Sequence, residues 1–193
     1  MGKIYCIMGK SATGKDTLFK MLLADPALSL KTVVPYTTRP MREGERDGVE
    51  YYFCGEERLA ELETAGKVIE LRAYDTVHGI WKYFTVDEHQ MADAQMDYLL
   101  IGTLVSYRKL RDYFGTERVI PIYIEVEDGE RLFRAVQRER KESRPRYEEL
   151  CRRFLADAAD FSEEELAAAG ISTRFVNENL RETEQKIKNY MLQ

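Results

Sequence analysis

The chain has 193 residues, of which 44% are hydrophobic and 33% charged, with a formal net charge of −5. This is enough apolar material for one ordinary core. It excludes a general nucleic-acid binder, which needs a basic surface, and no run is long and apolar enough to suggest a membrane span.

In chain order, Lys3–Met8 reads as a buried strand and Asp16–Ala24 as a helix. Lys3 leads straight into that strand pattern, so no secretory signal is expected. Between strand and helix lies Gly9-Lys10-Ser11-Ala12-Thr13-Gly14-Lys15-Asp16-Thr17. Strand, glycine loop, lysine and helix is the context of a phosphate-binding P-loop. The glycines let successive N–H groups turn inward, the helix N-terminus adds partial positive charge, and Lys15 adds a full one. The residue after such a lysine is usually Ser or Thr; here it is Asp16, with Thr17 next. The whole loop, Gly9 to Thr17, is the candidate ATP-phosphate site.

Lys31–Val34 reads as a short strand. From Pro35 to about Phe84 the pattern changes to turn signals (Glu43-Gly44, Asp47-Gly48), aromatic strand-like runs (Tyr51–Phe53, Trp81–Phe84), a short helix near Glu56–Ala65 and a strand at Lys67–Tyr74. This block is expected to form an inserted mixed-sheet unit. Beyond it the pattern predicts a helix over Val86–Gln95, a strand at Tyr98–Ile101, a helix at Leu104–Phe114 and a strand at Val119–Val126. Helices follow at Gly129–Arg140 and Tyr147–Ala159, split by Pro145, then a strand at Arg174–Val176 and a helix at Leu180–Leu192. Helices between buried strands predict an α/β fold with a parallel sheet covered on both faces. Ligands gather at the carboxyl ends of such strands, where the glycine loop also lies.

Charge is unevenly spread. Arg131 to Arg153 holds nine basic and four acidic residues, a local +5 that leaves −10 for the remainder. A cationic segment in an acidic chain suits a small polyanion. Cys6, Cys54 and Cys151 have neither metal-ligand spacing nor a disulfide pattern, which suggests a reducing, cytoplasmic setting. An anion cradle, an inserted unit and an arginine-rich segment together supply what phosphoryl transfer requires.

Tyr36-Thr37-Thr38-Arg39-Pro40, then Arg42, Gly44-Glu45, Gly48 and Tyr51-Tyr52-Phe53 resemble the signature of the guanylate kinase family. The resemblance implies a P-loop NTPase fold of three α/β/α layers in a single domain spanning 1–193. The core would be 1–34, 85–137 and 154–193, the monophosphate-binding subdomain 35–84 and the lid 138–153. It implies an ATP-dependent nucleoside monophosphate kinase, ATP and GMP giving ADP and GDP, with Mg²⁺ carried on the ATP phosphates. Arg39, Arg42 and Tyr51 would hold the acceptor phosphate, with guanidinium forks and a phenol suited to its oxygens. Glu70 would accept from the guanine edge. Arg134, Arg138 and Arg153 would close over the donor and transferring phosphates; Lys15, Arg138 and Arg153 would be the catalytic set. Arg140, Arg144 and Arg146 are competing choices in a lid this basic. Asn177 would lie near the donor base.

The sequence departs from the family pattern in four places. Leu99–Thr103 lacks the Asp-x-Asp expected at the end of the third core strand, leaving Thr103 to meet the acceptor. Pro35 stands where a serine touches guanine. Val77–Tyr83 replaces a tyrosine-rich element, with His78 or Tyr83 as a substitute for the missing phenol. Asp16, the fourth, could hold a metal-bound water in place of the absent carboxylates. The alternatives are a kinase of another small phosphate ester, such as a ribosyl phosphate, or a phosphopeptide-binding module without turnover. Retention of Lys15 favours an enzyme. The partners expected are nucleotides, with no nucleic acid and no membrane, and the oligomeric state is left open.

Overall fold

The computed structural model describes residues 1–42, 44–76, 79–91 and 93–193. Along the chain the elements are β1 (Ile4–Met8), α1 (Lys15–Ala24), β2 (Lys31–Thr32), β3 (Tyr36–Thr37), β4 (Tyr52–Phe53), α2 (Glu56–Thr64), β5 (Val68–Thr76), β6 (Gly79–Val86), β7 (Tyr98–Ile101), α3 (Leu104–Phe114), β8 (Val119–Glu125), α4 (Asp128–Glu139), α5 (Tyr147–Asp160), α6 (Glu163–Ala168), β9 (Arg174–Val176) and α7 (Leu180–Met191). No helix among the described residues is long and apolar enough to cross a membrane.

Five strands form a parallel sheet in the order β2-β7-β1-β8-β9. All five residues of β1 are buried, and strand periodicity divides them between two faces. Ile4, Cys6 and Met8 pack with Tyr107 and Leu110 of α3 and Leu166 of α6. Tyr5 and Ile7 pack with Leu18 and Leu22 of α1 and Ile187 of α7. Burial on both faces explains why the strand reads as a continuous apolar run, and it yields the three-layer α/β/α architecture. Pro121 is tolerated in β8 because β9 pairs only from Tyr123 onward, so the proline has β1 alone as a neighbour.

A second sheet has the order β4-β3-β6-β5, with β3 and β4 parallel and the β3–β6 and β5–β6 pairs antiparallel. One face is apolar: Tyr36, Phe84 and Val86 pack on Leu59 and Leu62 of α2, with Val68 alongside. The register slips between Val68 and Glu70, so that Val68 opposes Val86 while Glu70 opposes Thr85. This bulge sends Val68 to the apolar face and Glu70 to the other. The second face thus collects Thr37, Phe53, Glu70, Arg72, Tyr83 and Thr85.

Two sequence expectations fail. The helix expected over Val86–Gln95 is absent: β6 runs through Val86 and only a 3₁₀ turn, His89–Met91, follows. The Gln90 carboxamide instead bonds both the N–H and C=O of Val34, at 2.8 and 2.9 Å, and the Asp93 carboxylate accepts the Gln95 N–H at 2.9 Å. These side-chain bonds to main chain outcompete a helix. Conversely, α6 was not anticipated, although Ser162-Glu163-Glu164-Glu165 is a capping-box sequence and the Ser162 hydroxyl accepts the Glu165 N–H. Glu43, Val77 and His78 lie outside the described residues.

Candidate active site

The glycine loop leaves the carboxyl end of β1 and enters α1 directly. Ala12 has φ +65° and Gly14 φ +85°, and left-handed residues at alternating positions curve the chain into a concave nest. The N–H groups of Ala12, Thr13, Gly14, Lys15 and Asp16 donate to no acceptor on a described residue. Five adjacent free donors at a helix N-terminus make an anion cradle. The sixth, on Ser11, is occupied: it donates to Asp157 Oδ2 at 2.7 Å.

Asn177 braces the loop from behind. It is buried, and its carboxamide donates to Thr13 O at 2.8 Å. A Cβ at position 14 would lie 2.6 Å from Asn177 Nδ2, so the left-handed φ and the close approach both require glycine there. Thr13 is buried too and bonds Lys10 O. Lys15 has Asp16 at 3.8 Å as its ion-pair partner, and the Asp16 carboxylate is mostly exposed. Thr17 is exposed. Arg134 pairs with Glu130 at 2.7 Å and reaches Asn177 O at 3.3 Å.

The basic segment folds back over the loop. Arg138, Arg146 and Arg153 line one crevice together with Ser11 and buried Arg131. The Arg138 side chain makes no hydrogen bond or ion pair to a described residue. Arg153 pairs with Glu149 at 2.9 Å and Arg152 with the same carboxylate at 2.7 Å, which together hold Glu149 down to about 2.

The acceptor candidates lie on the polar face of the second sheet. The Thr37 hydroxyl donates to Lys82 O at 2.8 Å and accepts the Arg39 N–H at 3.1 Å, and Thr38 Oγ1 accepts the Lys82 N–H. The paired threonines thus fix the main chain from which Arg39 projects. Arg39 is buried and forms a two-pronged pair with Glu45, at 2.7 and 3.0 Å. Its guanidinium lies 5.5 Å from the rings of both Tyr51 and Phe53. The Arg39 hydrogen bond, with help from the Arg42 N–H, holds the Glu45 carboxyl below the usual carboxylate range. Burial pushes the Tyr51 phenol up. Arg42 joins through its main chain alone; its side chain is exposed.

Glu70 is buried and accepts from Thr85 Oγ1 at 2.8 Å and from Arg72 at 3.0 and 3.3 Å. This buried acid therefore has partners within the chain. Tyr83 packs edge-on against both Tyr51 and Tyr74, at 5.5 and 5.7 Å; of the two substitutes for the missing phenol, it is the one within the described residues.

Thr103 caps α3, accepting the Ser106 N–H at 3.2 Å. A Cβ on its neighbour Gly102 would lie 2.6 Å from Cys6 Sγ, which requires glycine there while Cys6 stays where it is. Burial, with the Glu70 charge nearby, pushes the Cys6 thiol far up. Among the described residues, no group of three or more His, Cys, Asp or Glu is arranged to hold a metal.

The structure therefore brings the loop, Asn177 and Arg134 together at one place, Arg138 and Arg153 together beside Ser11, and Arg39, Tyr51 and Glu70 together on one sheet face. Arg42 and Thr103 stand apart from these clusters. Sequence reasoning missed Arg72, Arg131 and Asp157: the first two were read as strand residue and general basic charge, and Asp157 lies 26 positions from Arg131 with no local signal joining them.

A parallel sheet flanked by helices, with an open amide nest at the end of its central strand, defines a P-loop phosphate-binding protein. The guanylate kinase family model matches residues 1–193, and the chain belongs to that family. A guanylate kinase from Vibrio vulnificus is 35% identical over 92 residues, 45% of this chain, and the matched stretch spans less than half of that relative, 44%. A guanylate kinase from Porphyromonas gingivalis is 26% identical over 196 residues, covering 100% of this chain and 98% of its own. The crystal structure of guanylate kinase from Anaplasma phagocytophilum shares the fold, with a TM-score of 0.68 at 23% identity over 99% of this chain and 85% of that one.

Proposed function

We propose that the chain is a nucleoside monophosphate kinase that transfers the γ-phosphoryl group of ATP to GMP. The observation that carries this reading is the presence of two separate anion sites on one chain: the row of free N–H groups beside Lys15, and the Arg39–Tyr51 cluster on the second sheet. A donor and an acceptor phosphate each need one. Family membership and the named relatives support the same reading.

In this mechanism the cradle and the α1 N-terminus hold the donor phosphates, and Lys15 neutralises charge on the outer ones. Arg39, Arg42 and Tyr51 orient the acceptor phosphate for in-line attack. Arg134, Arg138 and Arg153 supply charge where it develops on the transferring group. No covalent intermediate is needed. The division into core (1–34, 85–137, 154–193), acceptor unit (35–84) and lid (138–153) allows the site to close and exclude water. Mg²⁺ would enter with ATP; Asp16, an exposed hard-oxygen donor beside the cradle, fits a place in its hydration shell. When bound, the ion would neutralise charge on the donor phosphates. Such an enzyme would work in the cytoplasm, where both nucleotides are found.

The test is ADP formation with ATP and Mg²⁺ against a panel of monophosphates. Turnover with GMP well above that with AMP, CMP or UMP is expected. Turnover with none of them, alongside tight binding of a phosphate ester, would sink the kinase reading in favour of a binding module. Asp16→Ala is expected to shift the Mg²⁺ titration several-fold; an unchanged titration would remove Asp16 from the ion's surroundings.

A further inference from the structure

Beneath the glycine loop lies a closed ring of bonds that the proposed mechanism does not use. Ser11 N–H donates to Asp157 Oδ2 at 2.7 Å, Arg131 Nη1 donates to that same oxygen at 3.2 Å, and Nη1 also reaches Ser11 O at 3.4 Å. Both polar groups of one loop residue are therefore tied to a single ion pair. The far side of the Arg131 guanidinium donates to Asp128 Oδ1 at 3.1 and 2.9 Å, and Lys10 approaches that oxygen at 3.4 Å. The Phe154 ring covers the guanidinium face at 4.1 Å. Arg131 is 1% exposed. A buried arginine balanced by two carboxylates and an aromatic face is fixed in orientation, and removing one carboxylate leaves the guanidinium paired on one side only.

The elements this ring joins matter more than the ring. Arg131 belongs to α4 and Asp157 to α5, one turn beyond Arg153. Ser11 is the loop residue immediately before the five free N–H groups. The ring therefore registers α5 against the cradle, and the crevice lined by Ser11, Arg138 and Arg153 opens directly beside it. Lys10 and Asp128 anchor the start of α4 to the same loop.

We propose that Asp157, held by Arg131, is a positioning residue for phosphoryl transfer. By fixing the Ser11 peptide it sets the edge of the donor cradle and the place of Arg153 relative to it. Displacing a reacting group by about 1 Å can cost about 10²-fold in rate, so a carboxylate that touches no substrate has leverage on turnover. The inference rests on the kinase reading for its effect on turnover, but not for its effect on ATP binding.

The test compares the wild-type protein with Asp157→Ala, Asp157→Asn and Asp157→Glu, measuring kcat, both KM values, ATP·Mg²⁺ affinity by calorimetry without acceptor, and the thermal midpoint. Asp157→Ala is expected to lower kcat by about 10- to 100-fold and ATP affinity by about tenfold, with the KM for GMP within twofold. Asp157→Asn, whose carbonyl can still accept the Ser11 N–H, should recover most of the ATP affinity. Asp157→Glu should keep a midpoint near wild type yet lose about tenfold in kcat. A lowered midpoint with kcat and ATP affinity within twofold in all three variants would make the pair merely structural and overturn the proposal. If the alanine variant fails to fold, the other two decide on the same criteria. If the wild type turns over no acceptor, the kinase reading fails alone; unchanged ATP affinity across the variants would then overturn the positioning role separately.

Discussion

In the proposed kinase, recognition at the donor end is built from main chain: five N–H groups that meet no described acceptor, a helix N-terminus and one lysine. At the acceptor end it is built from side chains: Arg39 clamped by Glu45, Tyr51 edge-on to Tyr83, and Glu70 between Arg72 and Thr85. Main-chain donors tolerate changes in side chain, so the donor cradle survives Asp16 in place of the usual hydroxyl. Side-chain clusters have no such tolerance, and it is there that the sequence departs most from the family pattern, at Pro35, the Leu99–Thr103 stretch and the β5–β6 hairpin. The difference teaches that, in the proposed kinase, phosphate holding and acceptor choice would rest on physically separate groups.

The sharpest way to break that separation is Lys15→Ala. It should lower kcat by about 10²- to 10³-fold and leave GMP affinity within twofold by calorimetry. A parallel loss of GMP affinity would show that the two ends are one site. Arg39→Met is the converse. It removes the buried fork and strands Glu45, so the KM for GMP should rise by about 10²-fold while ATP affinity holds. Equal effects on both substrates would erase the distinction. Gly14→Ala tests the main chain itself. With φ at +85° and Asn177 Nδ2 at 2.6 Å from the new Cβ, it should cost about 1–3 kcal/mol of stability and weaken ATP binding. A midpoint equal to wild type would mean that the loop is less constrained than its contacts imply.

The same contrast governs how far the sequence could be read. The core strands were legible because burial on both faces leaves unbroken apolar runs, as in Ile4–Met8 and Tyr98–Leu100. The glycine loop was legible because its glycines serve local backbone geometry. The Thr37-Thr38-Arg39 string was legible only as a resemblance; its physical reason, hydroxyls that pin the Arg39 main chain to β6, appears once Lys82 is seen opposite. Residues 86–95 were misread because Gln90 bonds main chain 56 positions away, which no local period reports. The Arg131–Asp157–Ser11 ring was invisible for the same reason: its members come from α4, α5 and the glycine loop, and Arg131 and Asp157 each alone look like ordinary surface charge.

The smallest expected effect is electrostatic and belongs to the helix that carries Arg153. Glu149, bridged to Arg152 and Arg153, has its folded pKa lowered from 4.5 to about 2. A carboxylate with a depressed folded pKa adds stability above its unfolded value, and that stability disappears as pH falls from 4.5 towards 2. The side chain is 37% exposed, so screening limits the contribution to under about 1 kcal/mol. Wild type should therefore melt slightly above Glu149→Gln at pH 7, by no more than about 3 °C. The gap should narrow through that acid window, and should also narrow in high salt at neutral pH. A gap that stayed constant from pH 7 to pH 3 would mean that Glu149 contributes through packing instead of charge. Arg153 would then be held by the Asp157 docking of its helix, with little help from its own ion pair.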